Sequence, residues 1–224
     1  MTIGRMWFLA GLFALLAGLG ILWLDPIVAA VTAGGVPASF WSRGTALLDG
    51  LMLKEVSNFL LGPLLLLFAM IALAAPGART RFGWPSLYLA LVQLLATVIA
   101  DLSKPLLGRL RPFEAAAGDA TDSWFVGANS FPSGHAAFYA GLFFPLMILF
   151  PRWAAVFAIP PLFIAAARVV EHDHYPSDVA ASLALAATLS AGLAFILERS
   201  RSIENVSAAG QPARSTSSAA PTRS

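Results

Sequence analysis

Cysteine is absent from the chain, which excludes disulfides, thiolate metal ligands and a thiol nucleophile. Charge is scarce: Asp, Glu, Lys and Arg make up 12% of the 224 residues, where a soluble domain carries roughly a quarter. The net charge of +2 does not point to a nucleic-acid partner. Histidine is rarer still. There are three, and two of them, His172 and His174, fall in the stretch ARVVEHDHYPSD together with Arg168, Glu171, Asp173 and Asp178. What the chain has in excess is apolar surface, with 58% hydrophobic residues. That is the composition of a membrane protein.

Six apolar runs are long enough to be read as transmembrane helices: Trp7 to Leu24, Val56 to Ala75, Trp84 to Ala100, Gly134 to Phe150, Trp153 to Val170 and Val179 to Leu197. The fold expected is therefore all-α, a polytopic six-transmembrane-helix bundle. Pro160 and Pro161 should kink the fifth helix. Arg5 before the first run resembles a signal peptide, but the run is longer than a signal-peptide core, so a retained helix is expected. The arginine-rich loops favour cytoplasmic N- and C-termini once the arginines and lysine of a ligand site are set aside. Residues 1–198 then form one transmembrane domain. Residues 199–224, rich in Ser, Ala and Arg, read as a disordered cytoplasmic tail.

Three polar clusters fall on one side of such a bundle. KPLLGRLRP (Lys104 to Pro112) follows the third helix, SFPSGHA (Ser130 to Ala136) opens the fourth, and RVVEHDHYPSD (Arg168 to Asp178) joins the fifth to the sixth. Lys104, Arg111 and Arg168 suit a dianionic phosphate. Alternatively, Lys104, Arg109 and Arg111 anchor the third helix to lipid headgroups. Ser130 reads as an N-cap with Pro132 in the first turn, leaving the N–H groups of Ser133, Gly134 and His135 at the positive end of a helix dipole. An ordinary cap followed by an interfacial histidine is the other reading of that cluster. Ser177 or Asp178 can cap the sixth helix, and Asp178 can accept from one ring nitrogen of His174, leaving the other free to attack. A solvated loop or a His-x-His metal site would also account for these residues. Taken jointly, three polar clusters on one face of a bundle with otherwise apolar helices favour a functional site. Charge costs about 2.5–3.5 kcal/mol at a spanning helix's centre.

The clusters resemble the signature of the type-2 phosphatidic acid phosphatase superfamily, the membrane relatives of vanadium haloperoxidases. Lys104 to Arg111-Pro112, Pro132-Ser133-Gly134-His135, and Arg168 to His174 to Asp178 have the family's order and spacing. The motifs cover Trp84 to about Leu197. Ala167 stands where the family usually has serine. The resemblance implies a lipid phosphatase without a cofactor or metal. His174 would be the nucleophile forming a phosphohistidine, Asp178 its orienter and His135 the general acid and base. Lys104, Arg111, Ser133, Gly134 and Arg168 would hold the phosphate.

The partners expected are a phosphorylated lipid (undecaprenyl diphosphate, phosphatidylglycerol phosphate, phosphatidic acid or lipid A) and the bilayer. Oligomeric state has no signal. The location expected is a bacterial inner membrane with the site on the outer, periplasmic face. A lipid phosphotransferase would use the same residues, and a channel or transporter is the non-enzymatic alternative.

Overall fold

The computed structural model describes residues 1–33, 39–54, 56–57 and 59–209. Among them there is no strand, and nine α-helices follow one another. These are α1 (Ile3–Leu19), α2 (Asp25–Ala33), α3 (Ser39–Leu51), α4 (Leu61–Ala74), α5 (Trp84–Leu107), α6 (Pro112–Ala117), α7 (Gly134–Leu149), α8 (Ala154–Val170) and α9 (Pro176–Ala209). A π-helical turn, Gly20–Leu24, joins α1 to α2, and another, Arg79–Gly83, leads into α5. Each of the six apolar runs read from the sequence forms a helix. By length and composition four segments can cross a membrane: Ile3–Ala33, Arg79–Ala117, Pro151–Val170 and Pro176–Arg199. Leu61–Ala74 and Gly134–Leu149 are shorter apolar helices.

The two short helices differ in surroundings. α7 packs on α5, α8 and α9 at once, and its residues from Ala136 to Leu142 are all buried. Its 16 residues reach about 24 Å, short of a hydrocarbon core of about 30 Å. As the central helix it meets protein on every side. α4 lies outside α5 and turns Leu64, Leu67, Phe68, Met70 and Ile71 outward. α1 runs along α9. The core is largely alanine: Ala10, Ala96, Ala136, Ala140, Ala165, Ala186, Ala187 and Ala191 sit with Met6, Phe144 and Leu183. Small side chains let apolar helices approach closely when water supplies little driving force. At the α5–α7 crossing a Cβ on Gly141 would lie 2.9 Å from that of Ala96. Gln93 and Thr97, the polar pair within α5, are buried and bonded to each other at 3.2 Å.

Some boundaries depart from the sequence reading. α5 continues through Lys104 and Pro105 and ends at Gly108, whose φ of 54° closes it in the left-handed conformation. Lys104 therefore stands in a helical turn, not in a loop beyond it. The double proline of α8 lies inside one uninterrupted helix. Between the first two apolar runs, α2 and α3 form helices that the sequence reading did not predict. α9 runs to Ala209, past the boundary expected at 199, and residues 210–224 of the expected tail lie outside the described residues.

Candidate active site

Six helix ends meet at one end of the bundle: the C-terminal ends of α3, α5 and α8, and the N-terminal ends of α2, α7 and α9. α9 starts at Pro176, and the Asp178 carboxylate reaches back to accept from the N–H of Tyr175 at 2.9 Å. Tyr175 thus occupies the cap position expected of Ser177 or Asp178. Proline in the first helical position loses no bond there. The bond holding Asp178 to this turn also turns its Oδ2 toward His174, 3.4 Å from the ring Nδ1. Nε2 of His174 has no protein partner among the described residues. Burial pushes the imidazole below its ordinary value, with the Asp178 bond opposing. The ring is kept neutral, as a nucleophile requires.

Asp178 is itself held by a buried network. Ser130 donates to its Oδ2 at 2.5 Å, and Arg109 to its Oδ1 at 2.6 Å. Arg109, wholly buried, also donates to Ser177 (2.7 Å), Asp25 (2.6 Å) and Asp122 (2.7 and 3.1 Å). Its plane stacks on Tyr175 and Trp124, 4.0 and 4.6 Å from the ring centroids. The headgroup-anchor alternative therefore fails for Arg109, which binds the two ends of the chain together instead. Asp25 enters this network because the π-helical turn brings Gly20 against Ser177, where an added Cβ would lie 2.8 Å from the serine Cβ.

The expected phosphate ligands gather beside His174. Gly134 opens α7 directly under the Lys104 ammonium, and a Cβ there would lie 2.8 Å from Nζ. Lys104 is paired with Asp101. Arg111 and Arg168 converge on Asp173, Arg111 at 3.7 Å and Arg168 in close contact, and Arg168 also donates to Glu171 at 3.0 Å. Among the described residues the buried Nε of Arg168 has no acceptor, a donor suited to an incoming anion. Ala167, beside it, is fully buried. The cap of α7 is Ser133, whose hydroxyl accepts from the Ala136 N–H at 3.4 Å. Ser130 is not the cap; it is committed to Asp178. The N–H of Ser133 is taken by the Asp178 carbonyl at 3.2 Å, which leaves those of Gly134 and His135 at the helix start. His172 and His174 do not act together: the His172 Nε2 meets the Thr32 hydroxyl at 2.7 Å, fastening the loop to α2.

On the other side of this cluster His135 meets α3. Its Nε2 lies 3.1 Å from Asp49 Oδ2, and Tyr139, one turn on, donates to Asp49 Oδ1 at 2.7 Å. Burial would raise the Asp49 carboxyl, but the bonds from His135 and Tyr139 outweigh it and hold it below the usual carboxylate range. Lys54 follows in the next turn, buried over the Phe138 ring at 5.7 Å. Burial pushes it down to about 8, Asp49 opposing and the charges of Arg168 and Lys104 adding to the effect. Asp25, Asp49, Lys54 and Asp122 were not singled out from the sequence. For Asp49 there was a signal, a lone carboxylate near the end of the helical pattern SFWSRGTALLDGL. Arg109 had one too, as an arginine of GRLRP not needed for phosphate.

Fold and site together define a class: an integral membrane protein of packed apolar helices with histidine, arginine and lysine side chains gathered at one end. The PAP2 superfamily model matches residues 85–201, more than half of the chain and all three polar clusters, and the chain belongs to this superfamily. It is 32% identical over 121 residues to a lipid A 1-phosphatase of Rhizobium johnstonii, covering 52% of this chain and 50% of that one. It is 31% identical over 127 residues to a lipid A 1-phosphatase of Rhizobium etli, covering 52% of each. The chain thus spans about half the length of the curated relatives it matches. Among solved structures, a transmembrane PAP2-type phosphatidylglycerolphosphate phosphatase from Bacillus subtilis shares the fold. Its TM-score is 0.53 at 18% identity, over 88% of this chain and 96% of that one.

Proposed function

We propose that this protein is a lipid phosphatase that removes a phosphate group from a phosphorylated lipid, with lipid A 1-phosphate as the first candidate substrate. The observation that carries the reaction is His174: its Nδ1 faces a fixed carboxylate, its Nε2 is left without a protein partner among the described residues, and the charges of Arg168 and Arg111 act on the ring. The names of the two Rhizobium relatives support the substrate. His174 Nε2 attacks phosphorus while the bond to the lipid oxygen breaks. Nδ1–H of His135 protonates that oxygen. Water then attacks the phosphohistidine, giving its proton to His135, and the N–P bond breaks to release orthophosphate. Lys104, Arg111, Arg168, Ser133 and the Gly134 N–H stabilise the charge on the equatorial oxygens. Residues 1–198 form the catalytic unit, with the site at the periplasmic face of a bacterial inner membrane.

The test is phosphate release by the purified protein in detergent with EDTA, offered lipid A, phosphatidic acid, phosphatidylglycerol phosphate and undecaprenyl diphosphate separately. We expect release from lipid A, undiminished by EDTA and absent in His174→Ala. Label from a radioactive phosphate lipid should remain on the wild-type protein after an acid-free quench. Turnover by His174→Ala at the wild-type rate would overturn the nucleophile, and label found on a second lipid in place of free phosphate would make the enzyme a phosphotransferase.

A further inference from the structure

We infer that Asp49 of α3 is a positioning residue for His135, forming a carboxylate–imidazole pair separate from the Asp178–His174 pair. This rests on the reading of His135 as general acid and base. Both oxygens of Asp49 are committed to α7: one to His135 Nε2 at 3.1 Å and the other to the Tyr139 hydroxyl at 2.7 Å. Those two residues are four apart and stand one above the other on the same helix face, so the carboxylate bridges one turn of α7. Its backbone is fixed as well. The Asp49 carbonyl accepts from the Lys54 N–H at 2.9 Å, and that of Leu48 from Met52 at 2.9 Å.

α3 is seated by its apolar side. Leu48 and Met52 pack against the buried cluster of Phe138, Tyr139 and Ile164. At its other end Trp41 stacks on Phe163 with centroids 5.3 Å apart, and Phe40 meets the same ring edge-on at 6.0 Å. The Phe163 ring lies so close over Gly44 that a Cβ there would strike it.

The chemistry follows from which nitrogen Asp49 holds. With Nε2–H donating to a carboxylate, the neutral ring has its lone pair on Nδ1, and the imidazolium carries its transferable proton there. His135 Nδ1 has no protein partner among the described residues. Asp49 keeps its charge throughout: it orients the ring and stabilises the imidazolium without taking the proton. The molecule thus contains two histidine–carboxylate pairs with different tasks. Asp178 directs the nucleophile, and Asp49 directs the proton carrier.

The experiment compares wild type, Asp49→Asn, Asp49→Glu, His135→Ala and the Asp49→Asn/His135→Ala double variant on two probes. One is p-nitrophenyl phosphate, whose leaving group needs no protonation; the other is the lipid turned over best, whose alkoxide-like leaving group does. Asp49→Asn should lower kcat on the lipid about 10- to 100-fold, a part of the ~10²–10⁴ that general acid–base catalysis supplies. Its effect on label formation from p-nitrophenyl phosphate should be several-fold smaller. KM should change less than about twofold, as for a group that acts only in the transition state. Asp49→Glu should restore part of the loss, and Asp49→Asn should cost nothing further once His135 is alanine.

Equal losses on both probes, or a full additional loss in the double variant, would overturn the positioning role. Should Asp49→Asn not be recovered folded, Tyr139→Phe takes its place, expected to lose a few-fold with the same probe dependence; no probe dependence there would equally overturn it. Failure of the underlying reading looks different: His135→Ala would turn over the lipid as wild type does, whatever Asp49 does.

Discussion

A guanidinium with no solvent exposure and three carboxylates around it is an arrangement in which the charge is needed where it lies. Removing one partner of a buried pair leaves the other ionised and unpaired, at about 3–5 kcal/mol. Arg109→Gln would strand Asp25 and Asp178 together. We expect thermal unfolding in detergent about 10 °C or more below wild type, since 1 kcal/mol shifts a chain of this size by about 2–4 °C. Arg109→Lys should recover only part of this, because one ammonium cannot reproduce a planar fork donating to Ser177, Asp178, Asp25 and Asp122. An unchanged melting curve for Arg109→Gln would refute the structural role. The motif residues were legible because each stands in a short stretch of fixed spacing that no spanning helix needs. Arg109, Asp25 and Asp49 were not. Their significance lies in partners 84 to 90 positions away, as in Arg109 with Asp25 and Tyr139 with Asp49; local pattern marks Asp49 and Arg109 as out of place but does not name those partners.

At the level of elements, hydropathy found six apolar helices, four of them long enough to span a membrane, because each is apolar over most of its length. It missed α3, whose polar and apolar residues alternate with helical period in 13 residues, well below the length of a span. It misjudged where α5 ends and which residues cap α7 and α9, because those ends are set by what they touch: Gly108 by the loop that folds back over it, Ser133 and Tyr175 by Asp178. Yet α3 supplies one of the two carboxylates paired with a histidine. Gly44→Leu is expected to lift it from Phe163 and lower lipid turnover about tenfold, since misplacement by about 1 Å can cost more than that. The melting temperature should stay near wild type, because α3 contributes none of the residues of the main buried core. Wild-type turnover by Gly44→Leu would mean that α3 does not register the site.

For the whole molecule, orientation is the property on which substrate access depends, and the chain is well suited to measuring it because it contains no cysteine. A single cysteine replacing Asp119, in the exposed loop after α6, should react with a membrane-impermeant thiol reagent applied to the periplasmic side of intact cells. One replacing Thr80, at the opposite end of the bundle, should not. The reverse pattern would put the site on the cytoplasmic face. The Arg109 network has a consequence for how the molecule comes into being. Asp25 emerges from the ribosome early, Arg109 near mid-chain, and Ser177 and Asp178 only with the last helix. On the function proposed above, a partly synthesised chain would hold Lys104, Arg111 and Arg168 but neither His174 nor Asp178. It would reside in a bilayer full of phosphorylated lipids without attacking any of them, and hydrolytic competence would arrive with the insertion of α9.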